Sequence, residues 1–244
     1  MTWVKICGTT NLEDALVAVE AGADAVGFVF YEKSPRKIGV EAARLIVEKL
    51  PENVEKVGVF VHDTEPDWVD VVMAAGLTAV QHHLPFEKRP SSGGEKAVGL
   101  NLFRKPLKSY TALPVGQFLG DPDRINGLAE DFAHLRDQAS GHPIPDGIFD
   151  TFFLDSGGTQ APGGTGKTFD WSKAVPIAEG MRRGGLKLVV AGGLTPSNVG
   201  EAMGILKPWG VDVASGVEAR PRKKDPEKVR AFVRAVREMD RKTS

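Results

Sequence analysis

The chain has 244 residues, 41% of them hydrophobic, and a formal net charge of −1 at pH 7. This length and apolar content are sufficient for one domain with a full hydrophobic core. The near-neutral charge, with no basic stripe outside the C-terminal helix, argues against nucleic acid as a partner, because binding to a phosphate backbone requires clustered Lys and Arg.

Two further classes are excluded by the sequence. No apolar run approaches the roughly 20 residues that a membrane-spanning helix requires, and the first residues lead directly into a predicted strand rather than a signal peptide. The single cysteine rules out an internal disulfide and a cysteine-based zinc cluster. We therefore expect a cytoplasmic protein with no membrane association and no metal site.

The first third of the chain alternates regularly between strands and amphipathic helices. The predicted strands are Trp3–Cys7, Ala25–Phe30, Val57–Val61 and Thr78–His83. Helices are predicted between them, and a β-α-β-α rhythm of this kind indicates a parallel sheet with crossover helices.

The middle of the chain is less regular. Prolines and a Ser-Ser-Gly-Gly run predict an irregular link over Pro85–Glu95, and a fifth strand is predicted at Ala97–Leu102. A Pro-interrupted segment over 103–120 and a helix over Pro122–Gln138 then lead to a sixth strand at Phe149–Asp155.

The last part returns to the regular rhythm, with predicted strands at Leu188–Ala191 and Val211–Ala214 and an amphipathic helix after Asp225-Pro226. Eight strands in 244 residues predict an α/β fold, a single (β/α)8 TIM barrel with an irregular segment around strands 4–6. No linker divides residues 1–244, so one domain is expected.

Glycine-containing turns follow both of the last two predicted strands. They are Gly192-Gly193 and Ser215-Gly216, and Thr195-Pro196 is expected to begin a helix after the first of them. Backbone N–H groups in such neighbouring turns bind oxyanions, and the loops after strands 7 and 8 are the usual phosphate site of this fold. The four residues are thus candidate phosphate ligands.

Cys7 ends the first predicted strand. Strand alternation places Val4 and Ile6 toward the helices and Lys5 and Cys7 toward the barrel interior, so that Cys7 lies at the catalytic mouth. A thiolate there can act as a base if its pKa falls. Lys5 could favour the thiolate, or it could pair with Asp212 as a structural ion pair, which is the interpretation we prefer.

Two further polar residues follow predicted strands. Asp155, at the end of the sixth strand, could serve as a general acid or could cap the amides of the next loop. Arg36, after the second strand, offers a planar fork to a carboxylate or is a solvated loop residue. His82 and His83 are adjacent, so at most one of them faces the mouth. The Gly-rich segment 156–168 is either a lid or a surface loop.

Taken together, these motifs resemble the phosphoribosylanthranilate isomerase family of tryptophan biosynthesis. The resemblance runs the length of the chain and is weakest between Leu84 and Ile148. It is carried by Val4-Lys5-Ile6-Cys7-Gly8, Ser34-Pro35-Arg36, Leu154-Asp155-Ser156, Gly164 to Trp171, Ala191 to Val199 and Asp212 to Glu218. The family's Gln-Leu-His-Gly at strand four is Gln81-His82-His83-Leu84 here.

The resemblance implies an Amadori rearrangement of N-(5-phosphoribosyl)anthranilate without a cofactor. It implies Asp155 as the acid that protonates the ring oxygen and Cys7 as the base that removes the C2 proton. Arg36 would bind the anthranilate carboxylate and Asp212 would also contact substrate. Gly192, Gly193, Ser215 and Gly216 would hold the phosphate.

Other interpretations remain at this stage. The histidine-pathway Amadori enzyme resembles this fold but uses an aspartate where Cys7 stands, and indole-glycerol-phosphate synthase requires a Lys–Glu pair that is not evident. A different class is a non-catalytic phosphosugar-binding or scaffold barrel, although such a protein needs neither an acid nor a base. The small-molecule substrate is the only partner expected besides a possible second copy of the chain, because the sequence does not distinguish a monomer from a homodimer.

Overall fold

The computed structural model describes residues 1–61, 68–83, 107–117, 119, 148–156 and 168–243. Eight parallel strands form a closed barrel in which each strand pairs with the next and β8 pairs with β1. The strands are β1 Trp3–Ile6, β2 Ala25–Val29, β3 Glu55–Val61, β4 Ala79–His83, β5 Lys108–Pro114, β6 Ile148–Asp155, β7 Lys187–Val190 and β8 Gly210–Val213. The predicted (β/α)8 architecture is confirmed.

Helices follow the strands on the outside of the barrel. They are α1 Leu12–Glu20, α2 Val40–Val47, α3 Trp68–Ala75, α4 Val175–Arg183, α5 Val199–Leu206 and α6 Pro226–Thr243. Within the part of the chain that the structure describes, no helix is both long enough and apolar enough to cross a membrane.

The alternation in β1 sorts its side chains as predicted. Val4 and Ile6 are fully buried in the outer core, among apolar side chains of the surrounding helices. Trp3 belongs to the inner core, and Lys5 is fully buried with its ammonium 5.2 Å from the centroid of the Phe153 ring. Because strand side chains alternate in direction, Cys7 continues the inward row at the end of the strand.

The amino-terminal end of the barrel is filled by aromatic side chains. Trp3 packs edge-on against Tyr110 and Phe153, with ring centroids 5.8 and 6.0 Å apart. The Tyr110 hydroxyl donates to Glu55 Oε2 at 2.5 Å. The interior is therefore closed at this end, and space for a ligand is left at the carboxyl ends of the strands.

The position predicted for the fifth strand was wrong. The strand that pairs with β4 and β6 is Lys108–Pro114, within a segment expected to be irregular. Its polar start and terminal proline weaken the local strand signal, but Tyr110 and Ala112 fill the inner core and so stabilise this pairing. The residues predicted instead, Ala97–Leu102, lie outside the described ranges, as do the predicted link over 85–95 and helix over 122–138.

A short antiparallel hairpin follows β8, which the sequence did not predict. Its strands are β9 Glu218–Arg220 and β10 Lys223–Lys224, with Arg222 in the left-handed region at φ 72°. The helix after it, α6, buries the four predicted side chains Val229, Phe232, Val233 and Val236. The hairpin thus brings Glu218 and Lys224 close to the carboxyl ends of β1 and β8.

Candidate active site

A cavity of about 320 Å³ opens at the carboxyl ends of the strands. Seven of the eight predicted site residues line it, namely Cys7, Arg36, Asp155, Gly192, Gly193, Asp212 and Ser215. Gly216, the eighth, follows Ser215 in the 3-10 turn Ser215–Val217. The closed barrel brings these residues together from the carboxyl ends of β1, β2, β6, β7 and β8 and the loops that follow them, although they are scattered along the sequence.

Two hydrogen bonds fix the backbone of Cys7. Its N–H donates to the Val213 carbonyl at 2.8 Å, and its own carbonyl accepts from Lys224 Nζ at 2.6 Å. Its side chain occupies space that a glycine leaves open. A Cβ at Gly27 would lie 2.8 Å from the Cys7 Sγ atom and 2.9 Å from Lys5 Cε. The position of the thiol inside the barrel therefore depends on a glycine in β2.

The charges around Cys7 oppose one another. Burial raises the pKa of the thiol, and the ammonium groups of Lys5 and Lys224 only partly offset this, while the Asp212 carboxylate raises it further. Lys5 Nζ lies 3.0 Å from Asp212 Oδ1, so the predicted ion pair is present, and the same ammonium also acts on the thiol. Without substrate, Cys7 is accordingly held as a thiol at neutral pH.

The side of the cavity that contains Asp155 is formed by β4 and β6. Asp155 ends β6 with its side chain buried, and His83 lines the same cavity from β4. Burial lowers the pKa of His83, and the Asp155 charge opposes this shift. His82 points the other way and packs between Phe60 and Trp68, with ring centroids 5.9 and 5.2 Å away. Only His83 therefore faces the mouth.

Gln81 was not predicted as a site residue. It is buried, it lines the cavity, and its Nε2 lies 3.5 Å from His83 Nε2. Its side-chain carbonyl is buried and has no hydrogen-bond partner among the described residues. A buried acceptor is costly when it is left unsatisfied, so Gln81 offers an acceptor to a bound ligand.

Arg36 is buried and is already paired. Its Nε and Nη2 donate to Oε1 and Oε2 of Glu218, both at 2.8 Å. Gly8, at φ 74°, makes room for it, because a Cβ there would lie 2.4 Å from Arg36 Cδ. The structure thus rules out the solvated-loop interpretation of Arg36. The sequence did not reveal Glu218 as its partner, although an arginine buried in a mouth requires a nearby carboxylate.

The two glycine turns fit together closely. Gly192 and Gly193 have φ of 81° and 65°, which favours glycine. A Cβ on Gly192 would lie 2.3 Å from Ser156 Oγ, and one on Gly216 would lie 1.8 Å from the Leu194 carbonyl oxygen. The loops after β6, β7 and β8 therefore pack closely against one another, and Gly192, Gly193 and Ser215 line the cavity.

The start of the helix after β7 differs from the prediction. Helix α5 begins at Val199, not at Thr195-Pro196, and residues 196–198 form a turn. The Asn198 side chain accepts from Thr195 N–H at 2.7 Å and donates to the Gly193 carbonyl at 3.1 Å. Asn198 thereby fixes the glycine turn. The sequence did not predict this role, because Thr195-Pro196 indicated that the helix would begin before Asn198.

No group of three or more His, Cys, Asp or Glu side chains able to hold a metal ion occurs among the described residues. What the cavity does contain is an acid, a buried thiol, a paired arginine and two glycine turns. Residues 157–167, most of the predicted lid segment, lie outside the described ranges.

The chain matches the family model described as N-(5′-phosphoribosyl)anthranilate (PRA) isomerase over residues 4–89 and 129–235. It is 44% identical over 234 residues to the N-(5′-phosphoribosyl)anthranilate isomerase of Geobacter sp. strain M21, with 96% of this chain and 97% of the relative covered.

Two solved structures show the same relationship. One is a phosphoribosyl anthranilate isomerase in complex with reduced 1-(o-carboxyphenylamino)-1-deoxyribulose 5-phosphate, at a TM-score of 0.67 and 36% identity. The other contains monomers generated from the dimeric isomerase of Thermotoga maritima, at a TM-score of 0.69 and 36% identity. Each comparison covers 98% of this chain and 100% of the other.

Proposed function

We propose roles for individual residues on the premise that this chain belongs to the N-(5′-phosphoribosyl)anthranilate isomerase family, to which its sequence is matched over most of its length. The chain is an isomerase of tryptophan biosynthesis. It catalyses the Amadori rearrangement of N-(5-phosphoribosyl)anthranilate to 1-(2-carboxyphenylamino)-1-deoxyribulose 5-phosphate.

The phosphate binds at the two glycine turns in this proposal. The amides around Gly192, Gly193, Ser215 and Gly216 supply donors, and the left-handed or crowded backbone of the three glycines leaves no space for side chains that would block the anion. This end anchors the substrate, so the ribose extends across the mouth between Cys7 and Asp155.

Asp155 acts first, as the general acid. It donates a proton to the furanose ring oxygen, the bond between C1 and that oxygen breaks, and the nitrogen lone pair forms a cationic Schiff base. Cys7 then removes the C2 proton as the general base, and the electrons of that C–H bond neutralise the Schiff base to give an enolamine. Protonation at C1 and loss of the enol proton give the ketone, so the reaction consumes no net acid.

The order of the steps explains how a buried thiol can act as a base. Burial raises the pKa of Cys7 in the free protein. An opposite charge within about 4–6 Å lowers the pKa of an acid by about 1–3 units. The cationic Schiff base provides that charge only after Asp155 has opened the ring, so the thiolate forms where and when the C2 proton must leave.

Two side chains orient the rest of the substrate. Arg36 binds the anthranilate carboxylate, and Asp212 contacts a substrate hydroxyl from its position beside Lys5. Proton transfers account for the whole reaction, so the proposal includes no metal or cofactor.

Residues 1–244 form one domain, since the strands from both ends of the chain close one barrel. The protein acts on a small molecule as a monomer or homodimer. It works in the cytoplasm, where thiols are kept reduced, because an oxidised Cys7 cannot accept a proton.

The observation that carries the proposal is the placement of Cys7 and Asp155 at one cavity with the glycine turns. The test is the loss of anthranilate fluorescence when phosphoribosylanthranilate, made in situ, is added to the protein. Turnover supports the isomerase. A scaffold or general binder, which none of the relatives described above supports, would leave the fluorescence unchanged and would bind simple phosphosugars as well as the anthranilate compound.

A further inference from the structure

The acid–base chemistry does not use a buried cluster of three charged groups beside the cavity. The cluster consists of Arg36, Glu218 and Lys224, which come from the loop after β2, the start of β9 and the end of β10. All three are buried, with exposed fractions of 8%, 8% and 1%. Burying three charges is costly, so the arrangement calls for an explanation beyond simple stability.

Glu218 occupies one edge of the Arg36 guanidinium. Both carboxylate oxygens accept, from Nε and Nη2, at 2.8 Å. A guanidinium has five N–H donors in a fixed plane, so this pairing leaves the Nη1 hydrogens and one Nη2 hydrogen for another acceptor. Arg36 lines the cavity, so its remaining donors are available to a ligand there.

We propose that Glu218 is a positioning residue that fixes the Arg36 guanidinium so that its free Nη1–Nη2 end receives the anthranilate carboxylate. The inference rests on the proposed role of Arg36 and identifies what makes that arginine selective. The carboxylate is then bound end-on, because the side-on edge of the fork is already taken.

Lys224 supplies the charge that this arrangement requires. A paired Arg36 and Glu218 have no net charge and would attract an anion only weakly. Lys224 Nζ lies 3.4 Å from Glu218 Oε1 and restores a net charge of +1, which complements one substrate carboxylate.

Lys224 is almost fully buried, which lowers its pKa, and the charge of Glu218 opposes this shift. Its three donors are directed to the Cys7 carbonyl at 2.6 Å, the Ala214 carbonyl at 2.9 Å and Glu218. Burial would raise the pKa of Glu218, but the hydrogen bonds from Arg36 and the charge of Lys224 lower it overall, so Glu218 is ionised. One ammonium therefore links the backbone of the base to the carboxylate-binding group.

The test compares two probes that differ only in the ring carboxylate. They are reduced 1-(o-carboxyphenylamino)-1-deoxyribulose 5-phosphate and the same compound without the carboxylate, and calorimetry gives a Kd for each. In Glu218→Gln we expect the carboxylated probe to bind roughly 10- to 100-fold more weakly, the range for charge-assisted hydrogen bonds, with little change for the other probe.

This variant separates positioning from charge, because the two predict opposite results. Removing the Glu218 charge leaves the positive charge of Arg36 without its carboxylate partner, which by itself would tighten binding of the substrate carboxylate. Unchanged or tighter binding of the carboxylated probe would overturn the proposal. Glu218→Asp, which keeps the charge with a shorter reach, should recover part of the discrimination between the probes.

Controls distinguish this inference from the proposed role of Arg36. Arg36→Ala should abolish the discrimination; if it does not, the role of Arg36 fails regardless of Glu218. Lys223→Met is the matched control on the same hairpin, since Lys223 pairs with Glu13 and Asp14 away from the cavity, and should leave both Kd values unchanged. Thermal melts check that each variant is folded. If Glu218→Gln does not fold, Glu218→Asp still tests the proposal.

Discussion

At the scale of single residues, Cys7 shows how burial and reactivity conflict. The same interior position that places Cys7 at the cavity also raises the pKa of its thiol. Lys5 does not resolve the conflict, because its charge is shared with Asp212 at 3.0 Å. In our account the substrate itself supplies the missing positive charge after ring opening.

This account predicts different pH profiles for the free and the substrate-bound protein. kcat/KM reports the pKa of the free protein and kcat that of the complex. Catalysis from the free protein needs Asp155 with its proton and Cys7 without one, and a carboxyl ordinarily loses its proton well below a thiol. kcat/KM should therefore be level around neutral pH and fall as pH rises past the Cys7 pKa, which burial raises above its ordinary value. The ascending limb of kcat should lie about 1–3 pH units below that pKa, because the Schiff-base cation of the complex favours the thiolate. A kcat/KM that rises with pH through the alkaline range would contradict the account.

A second prediction at this scale concerns Gly27. In Gly27→Ala, the new Cβ would lie 2.8 Å from Cys7 Sγ and 2.9 Å from Lys5 Cε. We expect kcat to fall roughly 100-fold, as for a displacement of about 1 Å, and stability to fall by about 1–3 kcal/mol from overpacking. Gly116→Ala is the control, since nothing lies within 4 Å of its Cβ. Unchanged kcat in Gly27→Ala would show that the thiol position is not critical.

At the scale of elements, the regular β-α units were predictable and the fifth strand was not. Val4 and Ile6 alternate clearly with Lys5 and Cys7, and this local pattern survives in the barrel. Lys108–Pro114 begins with polar residues and ends in proline, so its strand state depends on pairing with β4 and β6. Tertiary contacts of this kind leave no periodic signal in the sequence.

The packing of the β7 and β8 loops gives a prediction for this scale. Gly216→Ala would place a Cβ 1.8 Å from the Leu194 carbonyl oxygen, so the two loops must separate. We expect KM to rise roughly 10- to 100-fold through loss of phosphate hydrogen bonds, with a smaller effect on kcat. Gly204→Ala in α5, whose nearest neighbour would be Met239 at 3.9 Å, should leave KM unchanged. A normal KM in Gly216→Ala would remove the turn from the phosphate site.

At the scale of the whole molecule, the site is a product of barrel closure. The resemblance of separate motifs indicated Cys7, Asp155 and the glycine turns, and the structure places them at one cavity. The sequence motifs could not reveal Glu218 as the partner of Arg36. That contact joins residues 182 positions apart, through a hairpin with no strong local signal. Ion pairs between residues that are distant in sequence, such as Arg36 and Glu218, are the feature of the site that the sequence did not predict.

Ligand binding should stabilise the whole barrel, because the cavity joins residues from five strands. At a concentration 100-fold above Kd, reduced 1-(o-carboxyphenylamino)-1-deoxyribulose 5-phosphate should add about 2.7 kcal/mol. Tm should then rise by about 5–11 °C for a chain of this size. Differential scanning calorimetry measures the shift, and inorganic phosphate, which fills only one end of the cavity, should give a smaller one. Equal shifts would mean that the rest of the site contributes little.

The most direct test of the central claim, that Cys7 and Asp155 transfer the protons, is turnover measured together with binding. Anthranilate fluorescence gives kcat for the wild type, Cys7→Ala and Asp155→Ala, and calorimetry with the reduced product analogue gives Kd. We predict that each variant loses about 10²–10⁴-fold or more in kcat while Kd changes little, because each proton transfer contributes about that factor. Variants that turn over like the wild type would contradict the assignment of acid and base.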